Sequence, residues 1–169
     1  LLELLVEDPL APTAIRDPPR ALDDHLADSL VALGLEQVSN ASRVADLGSG
    51  AGLPGLPLAI ARPEAAFALI ESASRKCAFL ERAVEACGLS NVEVVHARAE
   101  SWRNGIGIHD LVTARALAQL NVVAEYAAPL LAVGGTLVAW RGRREPESDA
   151  AGARAAELLG LSPPEAVSY

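Results

Sequence analysis

The chain has 169 residues, 51% of them apolar, and a formal net charge of −8. That length suits one domain with a real core, and no apolar run reaches the roughly 20 residues of a membrane span. The charge is unevenly spread. Residues 1–36 hold eight acids against two arginines, residues 145–169 hold five against one, and residues 37–144 hold eleven basic residues against nine acids. The arms are acidic and the central unit is mildly basic, so the total does not exclude a nucleic-acid partner.

The opening "LLELLVEDPL" (1–10) is apolar, but it carries acids and has no basic flank. It therefore reads as the tail of an amphipathic helix and not as a signal peptide, and a cytoplasmic protein is expected. A proline-rich turn, "APTAIRDPPR", follows. "ALDDHLADSLVALGL" (21–35) then predicts a helix with Leu22, Leu26, Leu30 and Leu33 on one face and Gly34 as its stop. From there strands and helices alternate. Strands are expected at 43–48, 65–72, 92–97, 109–115 and 136–142, and "EAVSY" (165–169) opens another. Helices are expected at 54–61, 74–88, 117–135 and 148–160, the third closing on a Gly-Gly turn.

Such alternation implies a doubly wound, mostly parallel α/β sheet with helices on both faces. Ligands of such sheets sit beyond the carboxyl ends of the strands. The organisation expected is a helical segment over 1–36 and a main unit over 37–169, together one domain. Cys77 and Cys87 lie in one predicted helix, about 15 Å apart in rise and too far for a disulfide. They read as packing residues, and no metal site is expected.

The first strand runs into "VADLGSGAGLPGLP" (44–57), which has four glycines and two internal prolines behind an aspartate. Glycine lets backbone approach a ligand where a Cβ would clash. Counted from Gly48, the first glycine after the strand, the dinucleotide spacing G-x-G-x-x-G fails, because Leu53 stands at its third glycine. Asp46, two residues before Gly48, would repel a pyrophosphate and suits a ligand with a cation near the turn. S-adenosylmethionine is such a ligand. The pattern Asp46-x-Gly48-x-Gly50-x-Gly52 looks like the first motif of class I, Rossmann-like methyltransferases. Glu71, at the end of the second strand, can hold ribose hydroxyls. Ala99 and Glu100, after the third strand, would reach an adenine.

The longer stretch "DLGSGAGLPGLPLAIARPEA" (46–65), with "RKCAFL" and "ARALAQL" downstream, resembles the bacterial small-subunit (16S) ribosomal RNA guanine-N7 methyltransferase family, called RsmG or GidB. "TAIRDP" and "DDHLADSL" resemble its N-terminal segment, with His25, Asp28 and Ser29 in matching places. The resemblance implies S-adenosylmethionine as cofactor and ribosomal RNA as substrate. It implies cofactor contacts at Gly48 and Leu53, an adenine flanked by Ala99 and Glu100, and Arg115 at the active site beside the cofactor. Arg98 is a second arginine of the site, and Arg75 and Lys76 form a basic pair opening the second main helix. Members usually continue into a closing antiparallel strand pair, so the C-terminal strands are expected to be incomplete here. A monomer without metal is expected.

The residues suit that chemistry. N7 of guanine presents an sp² lone pair in the major groove, so alignment matters more than a base. An Asn/Asp-Pro-Pro-aromatic loop for exocyclic amines is absent after the fourth strand, where "TARALAQ" stands. Neither cysteine is placed to attack a pyrimidine carbon. Arg75, Lys76, Arg98, Arg115, Arg141, Arg143 and Arg144 fall at strand ends or helix starts and could meet phosphates. For Arg115 a structural ion pair is the plainer alternative, and for Arg141–Glu145 a solvated turn. Trp140 reads as core, and His25, His96 and His109 as packing or strand-end residues. From residues alone, a methyltransferase of a small molecule or protein, or a homologue that binds without turnover, remains open.

Overall fold

The computed structural model describes residues 1–142 and 146–167. Helix α1 (Leu2–Glu7) is followed by an extended turn and then by a continuous helical segment. That segment comprises α2 (Pro18–Ala21), a π-wound turn (Leu22–Ala27), α3 (Asp28–Leu30) and a 3-10 turn (Val31–Gly34). Asp17 caps its start by accepting the Arg20 N–H, with Pro18 in the first turn, where a missing N–H costs nothing. After α4 (Glu36–Ser39) come β1 (Arg43–Leu47), α5 (Gly55–Ala61), β2 (Ala66–Glu71), α6 (Ser74–Ala86), β3 (Val92–His96), β4 (His109–Arg115), α7 (Leu120–Ala127), β5 (Leu131–Trp140) and α8 (Pro146–Leu158).

The five strands form one sheet in the order β3-β2-β1-β4-β5, and every pairing is parallel. Successive side chains of a strand point to opposite faces. Ala45, Leu47, Ala68, Ile70, Val112 and Ala114 therefore pack against Val123 and Ala127 of α7. Val44, Phe67 and Leu111 pack on the other face against Leu58 and Ala59 of α5 and Val38 of α4. Leu69 meets Phe79, Leu80 and Ala83 of α6 on that same face, and Leu5 of α1 joins them, fully buried. This is the doubly wound arrangement with its helical N-terminal segment. The chain reverses direction across the sheet between β1 and β4, and the crevice of such folds lies there.

Four expectations are corrected. The helix expected to run to the Gly-Gly turn ends at Ala127, and the strand starts at Leu131. His109 pairs with Leu131 but Leu111 pairs with Thr136, so β5 bulges through Val133–Gly135. Gly135 makes the bulge possible: a Cβ there would lie 2.8 Å from the His109 carbonyl oxygen. The apolar stripe at 22, 26, 30 and 33 loses its first member where the π winding rotates the faces, while Leu26 and Leu33 pack against the core. Leu22 is 48% exposed, while Ala21, Ser29 and Ala32 are buried. Residues 165–167 carry no strand, and 168–169 lie outside the described residues. Both cysteines are free. Among the described residues no helix is long and apolar enough to cross a membrane.

Candidate functional site

The sequence's glycine turn lies at the carboxyl end of β1, over the crevice. Gly48, Gly50 and Gly52 all have positive φ, at 63°, 55° and 82°, a region open to glycine at little cost. Ser49 fixes the loop from both sides. Its N–H donates to the Ile70 carbonyl of β2 at 3.1 Å, and its hydroxyl donates to the Asp46 carbonyl at 2.9 Å. Pro54 occupies the N-cap position of α5.

Asp46 lies beneath this loop and is fully buried. Its Oδ1 accepts the Thr113 hydroxyl of β4 at 2.7 Å, and its Oδ2 is buried with no hydrogen-bond partner. The nearby Gly55 N–H favours the charged form of the carboxyl. Burial pushes the Asp46 carboxyl up to about 6, against the pull of the Thr113 hydroxyl. Asp46 therefore supports the loop from below, and a direct contact with a ligand cation is not how the structure places it. Thr113 was not singled out from the sequence. The signal was a hydroxyl at a buried strand position, which needs a polar partner.

Glu71 ends β2 and is 5% exposed. Its Oε2 accepts the Gly50 N–H at 3.1 Å and its Oε1 accepts the Ala73 N–H at 2.8 Å. Lys76 approaches Oε2 at 3.8 Å from the first turn of α6, while Arg75 is exposed beside it. Arg98 is exposed just after β3, where it precedes a 3-10 turn, Ala99–Ser101. Ala99 packs against the core and Glu100 is exposed. Leu53 packs with the α6-side core.

The "ARAL" segment closes the other side. Leu47 pairs with Ala114, so Arg115 follows opposite Gly48. Ala116 has φ 51°, which is uncommon for a residue with a Cβ. Leu117 lies on the glycine turn, and a Cβ on Gly48 would meet its Cδ1 at 2.6 Å. Arg115 itself pairs with Asp28 at 3.0 Å and donates to the Asp24 carbonyl at 2.5 Å. The Trp140 indole N–H, at the end of β5, donates to the Asp28 carbonyl at 2.9 Å. Two strand ends are thus bound to the N-terminal helical segment. Arg141 is exposed after β5 but is held by α8: it pairs with Asp149 and donates to the Ser148 hydroxyl. Arg143 and Arg144 lie outside the described residues.

One rim therefore gathers Gly48, Gly50, Glu71, Arg98, Ala99, Glu100 and Arg115, with Asp46 and Leu53 behind the loop. A family model described as rRNA small subunit methyltransferase G, GidB, matches residues 9–167. The chain belongs to the GidB family. It is 46% identical over 148 residues to the ribosomal RNA small subunit methyltransferase G of Rubrobacter xylanophilus, an alignment covering 86% of this chain and 57% of that one. It is 42% identical over 151 residues to the protein of that name from Chloroflexus aggregans, covering 88% and 63%. The chain thus spans about three fifths of the length of these curated relatives. Among solved structures, a SAM-dependent methyltransferase from Aquifex aeolicus superposes with a TM-score of 0.61 at 18% identity, covering 84% of this chain and 82% of that one. A precorrin-6y C5,15-methyltransferase from Geobacter metallireducens gives 0.60 at 17%, covering 79% and 69%. At such identities the likeness establishes the class I methyltransferase fold.

Proposed function

We propose that the chain transfers a methyl group from S-adenosylmethionine to N7 of a guanine in 16S ribosomal RNA. The observation that carries this reading is the positive-φ glycine turn set between two acids at the crevice of a GidB-family sheet. The donor set fits the cofactor. Glu71 offers carboxylate oxygens to ribose hydroxyls, and Gly48 and Gly50 keep the loop free of Cβ atoms. Leu53 backs the turn, Ala99 and Glu100 would flank the adenine, and Asp46 keeps negative potential under a cationic group. No phosphate would be welcome among those acids. Bound there, S-adenosylmethionine supplies an electrophilic methyl on its sulfonium.

The protein's own task is then alignment. Arg115 and Arg98 stand on either side of the crevice mouth, where they can meet the base edge and its phosphates. Arg75 is exposed for a phosphate contact; Lys76 and Arg141 would have to exchange partners, since Glu71 and α8 hold them. This reading makes the chain a cytoplasmic protein that acts as a monomer. Calorimetric titration with S-adenosylmethionine and with NADH in parallel tests the cofactor, and binding of the first alone is expected. Methyl transfer to small-subunit RNA is expected to fall to a small residual rate in Arg115→Ala while cofactor binding survives in part; normal transfer by that variant removes Arg115 from the site.

A further inference from the structure

We propose that Asp28 is the positioning residue that presents Arg115 to the substrate, and that the π-wound turn before it completes the cradle. The inference rests on reading Arg115 as a site residue of the proposed methyl transfer. Three acceptors from one stretch of chain receive its guanidinium. Nη1 lies 3.0 Å from Asp28 Oδ2 and 3.4 Å from the Ser29 hydroxyl oxygen, and Nη2 donates to the Asp24 carbonyl.

The winding explains how these acceptors come together. In an α-helix the Asp28 N–H would bond the Asp24 carbonyl. Here it goes to the Asp23 and His25 carbonyls, so the Asp24 oxygen is passed over and turns to Arg115. Turns of this kind are rare and recur at functional sites. Ser29 is fully buried, and its hydroxyl proton goes to the His25 carbonyl. Its oxygen is thereby left to accept from the arginine. The Asp28 carbonyl takes the Trp140 indole, so the cradle is fastened to β5 as well as to β4.

Stability alone does not account for this arrangement. Asp28 is 47% exposed at the side chain, although Arg115 is only 21% exposed, and an ion pair with one partner that open to solvent contributes modestly to folding. Holding a long side chain in one geometry before the substrate arrives does lower the entropy lost on binding and keeps reacting groups aligned.

The test compares Asp28→Ala and Asp28→Asn in the 169-residue chain, alone and combined with Arg115→Ala. For Asp28→Ala, kcat for RNA methyl transfer is expected to fall about 10- to 100-fold, with melting temperature and KM for S-adenosylmethionine nearly unchanged. Asp28→Asn is expected to fall less, because its amide oxygen still accepts. In the Arg115→Ala background, Asp28→Ala is expected to change residual turnover by less than about twofold, since coupled residues do not add. Nitrogen-15 spectra should show slowly rotating Arg115 Nη groups in the unaltered chain, lost in Asp28→Ala. Full additivity, unchanged or raised turnover in Asp28→Ala, or a freely rotating guanidinium in the unaltered chain overturns the proposal by itself. No transfer to any RNA by the unaltered chain, with the Arg115 signals still resolved, removes the methyl-transfer reading, and the proposal falls with it.

Discussion

Asp46 ends up fully buried beneath the glycine turn, with its carboxyl pushed up to about 6 by that burial. In the unfolded chain it would titrate near 3.8. Between those two values the folded protein binds more protons than the unfolded one, so this group's contribution is present at low pH and is lost as pH rises through about 6. The amount is on the order of 2–3 kcal/mol. Asp46→Asn removes that dependence. Urea unfolding of both proteins at pH 4 and pH 7.5 is expected to show the variant gaining on the wild type by that amount as pH rises. A difference that stays constant with pH would mean that the carboxyl is not desolvated as described. The same burial shows why the sequence could place Asp46 at the site without giving its role. Spacing locates the carboxylate next to the turn, but only the partner on β4, Thr113, shows that it faces inward.

At the level of elements, short α1 depends on contacts it does not make itself. Its last carbonyls have no partners within the helix, and the Arg16 guanidinium takes those of Leu5, Val6 and Asp8, together with that of Ala11, at 2.7 to 3.4 Å. Arg82 of α6 pairs with Asp8 at 2.8 Å. Arg16→Ala is expected to lower stability by about 1–3 kcal/mol and to speed amide exchange at Leu5 and Asp8 ahead of the sheet; uniform exchange across the chain would contradict it. The sheet strands were legible because each is a short apolar run between turn residues. The start of β5 was not. "YAAPLLAVGG" continues a helical pattern, and the switch at Leu131 depends on pairing with His109 and on a bulge only Gly135 permits. The π turn was illegible for a similar reason: its apolar residues still fit α spacing, and the group that takes the freed Asp24 carbonyl, Arg115, lies far along the chain. The turn, Glu71 and Arg115 were legible as neighbours at the carboxyl end of the sheet, the first two from residue type and position and Arg115 from the family resemblance. The engagement of Lys76 and Arg141 by acids was not, since it depends on which face each side chain takes.

Over the whole molecule, charge is sorted by region. The acidic N-terminal segment is packed onto the body, and part of its charge is answered by Arg115 and Arg82. Arg75 and Arg98 remain exposed at the carboxyl edge of the sheet. If RNA lies along that edge, binding should weaken as salt rises, because each phosphate contact releases counterions. The double variant Arg75→Ala with Arg98→Ala is expected to reduce the slope of log affinity against log salt by about 1.5, from roughly 0.7–0.9 per contact. Filter binding of small-subunit RNA across a salt series measures it. An unchanged slope would place the RNA elsewhere on the surface.

The turn at Leu22–Ala27 has a consequence for chain length. A π turn holds one residue more than the α turn it replaces. Removing any one residue between 22 and 27 would let the segment relax into an ordinary helix with its backbone bonds intact. The relaxed helix would, however, take back the Asp24 carbonyl and swing everything upstream about its axis, away from Arg115 and the edge of the sheet. This stretch should therefore accept exchanged side chains at its exposed positions far more readily than a lost or added residue.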